Sequence, residues 1–305
     1  MPRVLVTGGA GFVGANLVRH LLGRGFDVRV LDDLSTGRLD YLDGLPVEVR
    51  EGSITDAGAV RRAVRGSDAI VHLAAMSGVA PSVAHPGRDF AINVEGTFNV
   101  LDAARRASVG RVVFASSGAV LAAARPPLHE ELAPRPLAPY GASKLYGEAI
   151  LQAFSTYGIV GVGLRFSNVY GPFCAHKRSV VAEFVRRVLG GRPLVIYGDG
   201  RQTRDFLHVD DVVVAVERAI RARRSALFQL GTGRETSIVS LARLVARVAG
   251  VPLEVERRPP RPGEASRNYT DVSRAARGLR WRPRVALEEG LAGTLTWMRE
   301  HRRPG

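Results

Sequence analysis

The feature that most constrains the fold is a glycine-rich turn directly after the first apolar run. Residues 7–14, Thr-Gly-Gly-Ala-Gly-Phe-Val-Gly, follow Val4–Thr7 and space Gly8, Gly11 and Gly14 three residues apart. Such a turn lets the backbone bend tightly, approach a pyrophosphate and pack a helix close to a sheet. The N-terminus of that helix offers unpaired N–H groups and a positive dipole end to phosphates. We therefore predict a nucleotide-binding strand-turn-helix unit here.

Strand-like and helix-like segments alternate through the first half of the chain. Continuous β-branched runs between helices predict a parallel sheet that is buried on both faces and built from repeated βαβ units. Because crossovers between parallel strands are right-handed, the predicted fold class is α/β with a Rossmann-type doubly wound sheet. The predicted strands are Val4–Thr7, Val28–Leu31, Val47–Val49, Ala69–Leu73, Val112–Ala115 and Val160–Phe166, and the helical stretches include Asn16–Leu22, Ala59–Val64, Val94–Ala107 and Ser143–Ser155.

An acidic pair at the end of the second predicted strand indicates which dinucleotide would bind. Asp32 lies 18 residues beyond Gly14 and precedes Asp33. An acid near this offset accepts hydrogen bonds from the adenosine ribose and repels a 2′-phosphate, which favours NAD over NADP. Arg38 is close enough in sequence to soften this preference. A Walker-type loop is excluded because no Gly-Lys-Ser/Thr follows the turn.

The alternation of predicted strands and helices ends at about residue 168, and glycine, proline and arginine become more frequent after it. We expect an NAD-binding domain over residues 1–170, together with 205–224. Residues 171–204 and 225–305 would form a smaller α/β lobe, with the ligand cleft between the two and above the strand ends.

Composition limits the cellular location and the binding partners that we expect. The 305 residues include one cysteine, Cys174, so neither a disulfide framework nor a cysteine-based zinc site is possible. No apolar run approaches the roughly 20 residues of a membrane span. Residues 1–8 show no charged segment, apolar segment and cleavage site in succession, so we expect a cytoplasmic protein with no membrane partner. The histidines show no metal-ligand spacing, and we expect no metal.

The net charge of +14 is carried almost entirely by arginine, since only Lys144 and Lys177 among 43 basic residues are lysine. The arginines are spread along the chain and form no block of the kind that binds a nucleic acid. We interpret them as solvated surface charge and expect no nucleic-acid partner. The alternative is an anionic substrate with several phosphates.

Tyr140 and Lys144 are four residues apart at the start of a predicted helix and so project from one face. A nearby ammonium favours the phenolate, so we expect Lys144 to lower the pKa of Tyr140 and make it a usable base. Ser117, at the end of the fifth predicted strand, would hydrogen-bond the substrate oxygen being oxidised. An ordinary amphipathic helix start and a turn-capping serine are the alternatives.

Together with further motifs, these residues resemble the extended short-chain dehydrogenase/reductase family, and within it the NAD-dependent nucleotide-sugar epimerases and dehydratases. The resemblance covers nearly the whole chain. Its motifs include the glycine turn, Asp32, His72-Leu73-Ala74-Ala75, Asn93-Val94-x-Gly96-Thr97, Ser116-Ser117, Tyr140 to Lys144, Arg165 to Pro172, Tyr197-Gly198-Asp199-Gly200, Thr203-Arg204-Asp205-Phe206 and Arg261-Pro262-Gly263-Glu264.

The resemblance implies a role for each matching residue. Ser117, Tyr140 and Lys144 would be catalytic, the bound sugar nucleotide would be a UDP-sugar, and the protein would be a homodimer. The cofactor NAD would be held by Gly8, Gly11, Phe12, Val13, Gly14, Asp32, Asp33, Ser35, Gly37, Ser53, Ile54, Leu73, Ala74, Ala75, Asn93, Ser116, Tyr140 and Lys144. The substrate would be held by Ser117, Tyr140, Asn168, Ser179, Val180, Tyr197, Arg204 and Arg261, with the two arginines on the diphosphate.

Departures from the family pattern favour one reaction. The dehydratases place Asp-Glu directly after the catalytic Ser/Thr, whereas this chain has Gly118-Ala119. Elimination of water needs an added acid and base, so we expect a 4-epimerase of the UDP-glucose/UDP-galactose type. Two other departures concern ligand contacts. Val120-Leu121-Ala122 replaces the family's usual Val-Tyr-Gly, so the shape of the surface around the sugar is not predicted. Ser53-Ile54 replaces the usual Asp-Ile, so the contact with the adenine is not predicted either.

The identity of the sugar stays open at this stage. Asn268 falls where some family members carry a bulky gate residue, and a smaller side chain there would admit an N-acetyl group. His176-Lys177-Arg178 would suit a uronate, or would simply be surface charge. A one-way oxidoreductase acting on a nucleotide sugar is the further alternative.

Overall fold

The computed structural model describes residues 1–260 and 266–301. Its main element is a seven-stranded sheet in the order β11-β6-β5-β4-β1-β2-β3, in which every neighbouring pair is parallel. The predicted doubly wound sheet is confirmed. Its strands are β1 (Arg3–Thr7), β2 (Asp27–Asp32), β3 (Glu48–Glu51), β4 (Ala69–His72), β5 (Arg111–Ser117), β6 (Val160–Phe166) and β11 (Ala226–Leu230).

Helices cover both faces of the sheet, which explains why its strands read as unbroken apolar runs. In β1, Val4 and Val6 are buried on one face, and Leu5 is buried on the opposite face among residues of α2 and α5. The helices are α1 (Phe12–Gly23), α2 (Ala57–Val64), α3 (Val79–Ala84), α4 (Pro86–Phe90), α5 (Gly96–Arg106), α6 (Pro139–Ala153), α7 (Val180–Leu189), α8 (Val209–Ile220), α9 (Ile238–Ala249), α10 (Ser273–Gly278) and α11 (Leu287–Glu300).

The predicted helix over 94–107 differs from the observed one at its start. Residues Ala91–Glu95 form a π-helical turn that runs directly into α5. Such turns are rare and often lie at functional sites, because the extra residue re-aims a side chain. Here the re-aimed side chain is Asn93, which is buried.

Three two-stranded sheets lie outside the large one. The pairs are β7 (Asn168–Tyr170) with β10 (Phe206–His208), β9 (Thr203–Arg204) with β12 (Thr236–Ser237), and β8 (Leu194–Tyr197) with β13 (Val255–Arg258). One boundary differs from the expected division of the chain, since residues 226–230 form β11 and pair with β6 of the large sheet. The rest of the division into two lobes stays a prediction.

Among the residues that the structure describes, no helix is both long enough and apolar enough to cross a membrane.

Candidate active site

A cavity of about 1050 Å³ lies over the carboxyl ends of the strands and continues past β7 toward β8 and β9. Parallel strands bring their carboxyl ends to one edge, where ligands of such sheets bind. Most of the predicted site residues meet here. The lining includes Gly8, Gly11, Phe12, Val13, Gly14, Asp32, Asp33, Ser35, Ile54, Leu73, Ala74, Ala75, Ser116, Ser117, Tyr140, Lys144, Asn168, Ser179, Val180, Tyr197 and Arg204.

The glycine turn leaves no room for side chains where it folds back on itself. Gly8 has φ +72°, and a Cβ there would lie 2.7 Å from the backbone nitrogen of Ala74. A Cβ on Gly14 would lie 2.1 Å from the Gly8 carbonyl oxygen. Gly11 is the N-cap of α1, and within the described part of the chain no side chain caps it. The first N–H groups of α1 therefore remain available to an anion.

Asp32 fixes the turn to the end of β2. Its carboxylate accepts hydrogen bonds from the backbone N–H groups of Ala10 and Leu34, each at 2.9 Å. Burial raises the pKa of Asp32 above its usual value. Each carboxylate oxygen has acceptor capacity beyond these single bonds, so the group can also accept from ribose hydroxyls.

Arg38 is engaged by neighbouring side chains. Its guanidinium pairs with the Asp40 carboxylate and lies over the Tyr41 ring, 5.2 Å from the ring centre. The expected softening of the preference for NAD is therefore not supported by the geometry.

Three residues that we assigned to the cofactor lie outside the cavity lining, namely Gly37, Ser53 and Asn93. Gly37 lets the loop pass Asp32, since a Cβ there would be 2.8 Å from the Asp32 carboxylate. Ser53 hydrogen-bonds to Thr55 at 2.9 Å. Asn93 instead holds the loop after β4, because its amide accepts from Met76 N–H at 2.9 Å and donates to the Met76 carbonyl at 3.0 Å. Arg261 lies outside the described residues.

Ser117, Tyr140 and Lys144 converge at the end of β5. Tyr140 is in the first turn of α6, and Lys144 follows one turn later. Ser117 Oγ accepts the Ala119 N–H at 3.1 Å, which leaves its own O–H free for the hydrogen bond to Tyr140. Lys144 Nζ donates to the Ala115 carbonyl at 2.8 Å and lies 5.8 Å from the centre of the Tyr140 ring.

The direction of the Tyr140 pKa differs from our expectation. Burial raises the pKa of Tyr140, and the charge of Asp89 raises it further, while the Ser117 hydrogen bond opposes them. Burial also lowers the pKa of Lys144 to about 8. The expected lowering of the Tyr140 pKa is therefore wrong for this structure, because the loss of solvation on burial is the largest effect and raises that pKa.

A buried ion pair that we did not predict lies next to Ser116, the residue before Ser117. Glu148 pairs with Arg165 through two hydrogen bonds of 2.7 Å. Ser116, which we assigned to the cofactor, also lines the cavity, yet its hydroxyl donates to Glu148. Glu148 lies four residues after Lys144, so the same four-residue spacing that indicated Tyr140 and Lys144 could have indicated it.

The end of the cavity near β9 is bordered by another buried carboxylate, that of Asp205. Arg204 lines the cavity, and the adjacent Asp205 is fully buried. The Asp205 carboxylate accepts five hydrogen bonds, from the N–H and O–H groups of Thr232 and Thr270 and from the Gly233 N–H. Asp205 thereby ties the Arg204 segment to two loops that are distant in sequence.

A family model described as "NAD dependent epimerase/dehydratase family" matches residues 4–231. The chain belongs to this family. A UDP-glucose 4-epimerase of Mycolicibacterium smegmatis is 40% identical over 97% of this chain and 98% of its own length.

Two solved structures extend the likeness to the fold. The UDP-glucose 4-epimerase of Thermotoga maritima with UDP-glucose has a TM-score of 0.94 and 36% identity, covering 98% of this chain and 99% of its own. The Thermus thermophilus UDP-glucose 4-epimerase in complex with NAD has a TM-score of 0.92 and 37% identity at the same coverage.

The residues of this family member fit its cofactor. A dinucleotide needs an anion cradle at a helix N-terminus and an acid at the end of the next strand. The uncapped start of α1 at Gly11 and the carboxylate of Asp32 meet both needs on one wall of the cavity. NAD is therefore the cofactor of this protein.

The segment after Ser117 has no catalytic side chain. Gly118 begins a short 3-10 turn, Gly118–Leu121, and a Cβ on Gly118 would meet only the Phe166 carbonyl, at 3.6 Å. The backbone has room for a side chain at this position, so the glycine is not forced by crowding. The described carboxylates of the cavity lining are Asp32, Asp33 and Glu183, and the last is paired with Arg186 and Arg187.

Proposed function

We propose that this protein is a UDP-sugar 4-epimerase that interconverts UDP-glucose and UDP-galactose through a 4-keto sugar. The observation that carries the proposal is the meeting of Ser117, Tyr140 and Lys144 in one cavity, with Gly118 and Ala119, which carry no acid or base, directly after Ser117. Epimerisation needs only one proton carrier and one hydride carrier, whereas elimination of water needs an added acid and base.

Each of these side chains has a distinct task in the proposed reaction. Bound NAD supplies the hydride acceptor and donor chemistry. Tyr140 takes the proton of the sugar 4-hydroxyl and later returns it, so it ends the cycle unchanged. Ser117 donates a hydrogen bond to Tyr140. Lys144, whose Nζ lies 5.8 Å from the centre of the Tyr140 ring, would stabilise the phenolate when it forms during the reaction. Arg204 would hold the diphosphate while the sugar turns, together with Arg261.

The remaining assignments support the same proposal. Asn168, Ser179, Val180 and Tyr197 line the part of the cavity beyond the strand ends, where the sugar nucleotide would lie. The lobe predicted over residues 171–204 and 225–305, less β11, would form this end with its described residues. The cytoplasmic location stays a prediction.

We also propose a homodimer that pairs through α5 and α6. Phe98 on α5 is 45% exposed, and Tyr157, shortly after α6, is 60% exposed. Large exposed apolar side chains on neighbouring elements favour a protein interface. The molecular mass in solution, measured by light scattering, checks this, and a monomeric mass at micromolar concentration would contradict it.

The decisive experiment compares two tyrosines on one helix. We expect Tyr140→Phe to abolish conversion of UDP-glucose to UDP-galactose, with NAD content unchanged, because the proton carrier is lost. Tyr146→Phe is the matched control, since Tyr146 is also on α6 but does not line the cavity. The readout is chromatography of the nucleotide sugars, with product mass. Full activity of Tyr140→Phe, or loss of water from the product, would overturn the proposal.

A further inference from the structure

Two buried polar side chains lie side by side at the carboxyl end of the sheet. Ser116 of β5 pairs with Arg165 of β6, and residues directly opposite each other on neighbouring strands face the same side of a sheet. Both residues are buried. Polar groups in this position need partners, because an unpaired buried polar group is unfavourable.

Glu148 of α6 is the partner of both side chains. Its carboxylate accepts one hydrogen bond from the Ser116 hydroxyl and two from Arg165, through Nε and Nη2 at 2.7 Å each. The side chains of Glu148 and Arg165 are 8% and 2% exposed. A buried ion pair repays little of its desolvation cost, and apolar side chains of similar volume are often as stable in its place. Stability alone therefore does not explain why this carboxylate joins a helix to two strands.

The same face of α6 binds three consecutive residues of β5. Side chains that are four residues apart lie on one face of a helix, and the three that face β5 follow this spacing. The contacts are Tyr140 with Ser117, Lys144 with the Ala115 carbonyl, and Glu148 with Ser116. Tyr140 and Lys144 line the cavity, and Glu148 lies outside its described lining. Glu148 can therefore fix the spacing between helix and strand without touching a ligand.

This spacing decides whether two catalytic hydroxyl groups meet. Ser117 is on β5 and Tyr140 is on α6, so their hydrogen bond lasts only while the end of the strand stays against the helix. A displacement of about 1 Å can lower a reaction rate by about 100-fold. Lys144 reaches β5 by a flexible four-carbon stem. The Glu148 carboxylate is instead fixed by three hydrogen bonds, two of them from the planar guanidinium of Arg165.

We propose that Glu148 is a positioning residue of this enzyme, which holds the end of β5 against α6 through Ser116 and so keeps Ser117 bonded to Tyr140. The proposal rests on the proposed function and adds a residue that acts through others. Arg165 fixes the orientation of the carboxylate and, because it belongs to β6, ties a second strand into the same arrangement.

The test measures kcat and KM for UDP-glucose with Glu148→Gln, in the wild type and in Ser117→Ala. Glutamine keeps the shape of the side chain but offers one acceptor oxygen where the carboxylate offers two. In the wild type we expect kcat to fall by about 10-fold and KM to stay within about 2-fold. In Ser117→Ala the same substitution should change kcat by less than about 2-fold, because the hydrogen bond that Glu148 maintains is already absent.

Ser116→Ala separates the position of β5 from the charge of Glu148. It removes the hydrogen bond to the strand and leaves the carboxylate, whose charge raises the pKa of Lys144, in place. We expect kcat to fall by about 5-fold. Glu217→Gln is the matched control, since Glu217 is a buried, ion-paired carboxylate of α8 outside the described lining of the cavity. Its kcat should stay within about 2-fold of the wild-type value.

The outcomes separate the possible failures. An unchanged kcat of Glu148→Gln, or equal losses with and without Ser117, would overturn the inference and leave the proposed epimerase intact. A loss for Glu148→Gln with none for Ser116→Ala would assign the effect to charge and would also overturn it. Wild-type protein that contains NAD but does not convert UDP-glucose would overturn both proposals. If the melting temperature shows that Glu148→Gln is unfolded, Ser116→Ala alone and combined with Ser117→Ala gives the same test.

Discussion

The two ends of the cavity are built in different ways. The cofactor end is made mainly of backbone, since the turn from Gly8 to Gly14 excludes side chains and offers N–H groups at the start of α1. The end near β9, which we propose holds the substrate and call the substrate end, is made of side chains on short strands and loops, and Asp205 ties these segments together through five hydrogen bonds. The first end depends on local geometry, and the second depends on contacts between distant segments.

This difference predicts what a mutation at each end should do to ligand binding and to stability. At the cofactor end, a side chain introduced into the glycine turn would block ligand binding and leave the rest of the fold unchanged. A buried carboxylate cannot be replaced without leaving several donors unpaired, so its loss costs stability as well as function. Mutations at the two ends should therefore separate binding from stability.

The largest effect is expected for Gly11→Val. Gly11 has φ −79°, which a valine can adopt, and a Cβ there meets only the Gly8 carbonyl, at 3.2 Å. The new side chain would fill the cradle and keep a pyrophosphate away from the helix N-terminus. We expect NAD affinity to fall by at least about 1000-fold, which is about 4 kcal/mol, with the melting temperature nearly unchanged. Calorimetric titration with NAD measures this.

Gly23→Ala is the matched control for this test. Gly23 is the last residue of the same helix, and a Cβ there meets no described atom within 4 Å. This variant should bind NAD as the wild type does. If Gly11→Val also kept its NAD affinity, the cofactor end would not depend on an open backbone cradle.

The same difference explains what could be predicted from the sequence. The sheet was predictable because its periodicity is local, and β6 was predicted with the observed bounds. The glycine turn and Asp32 were predictable because strand, turn and acid follow each other within one βαβ unit. Tyr140 and Lys144 were predictable because a helix repeats every 3.6 residues.

The unpredicted residues depend on partners that are far along the chain. Asp205 bonds to Thr270, which is 65 residues away, and no local pattern indicates that pair. Asn93 was assigned to the cofactor from the family resemblance, and the π-helical turn that carries it and its bond to Met76 cannot be read from helical periodicity. The Tyr140 pKa was expected in the wrong direction because burial, which sequence spacing does not give, raises it.

The next effect in size is expected for Asp205→Asn. The amide keeps the shape of the side chain but replaces one acceptor oxygen with an NH2 donor, so backbone and hydroxyl donors buried against it lose their acceptor. We expect the free energy of unfolding to fall by about 3 kcal/mol. Affinity for UDP should fall by about 10-fold, because Asp205 no longer fixes the segment that carries Arg204. NAD affinity should stay within about 3-fold of the wild-type value.

Denaturant unfolding and calorimetry with UDP and with NAD test this variant. Asp199→Asn is the control, because Asp199 is an exposed carboxylate of the same region and its loss should cost less than about 0.5 kcal/mol. Loss of NAD affinity with UDP affinity preserved would reverse the proposed division between the two ends.

The smallest effect is expected at Lys144, where the two ends meet. Its side chain is buried, and burial lowers its pKa from 10.5 to about 8. Between these values the unfolded chain binds one proton more than the folded protein, so stability rises with pH. From pH 7.5 to 9.5 the free energy of unfolding of the wild type should therefore gain about 2 kcal/mol relative to Lys144→Met.

Urea unfolding of both proteins at the two pH values measures this difference. Lys144→Met keeps Tyr140 and the surface charges, so their titration is largely common to both proteins and largely cancels. A constant difference between the two proteins would mean that Lys144 stays charged throughout this range. Lys144 would then be stabilised by the neighbouring Asp89 and Glu148 carboxylates, whose charges raise its pKa, more than it is penalised by burial.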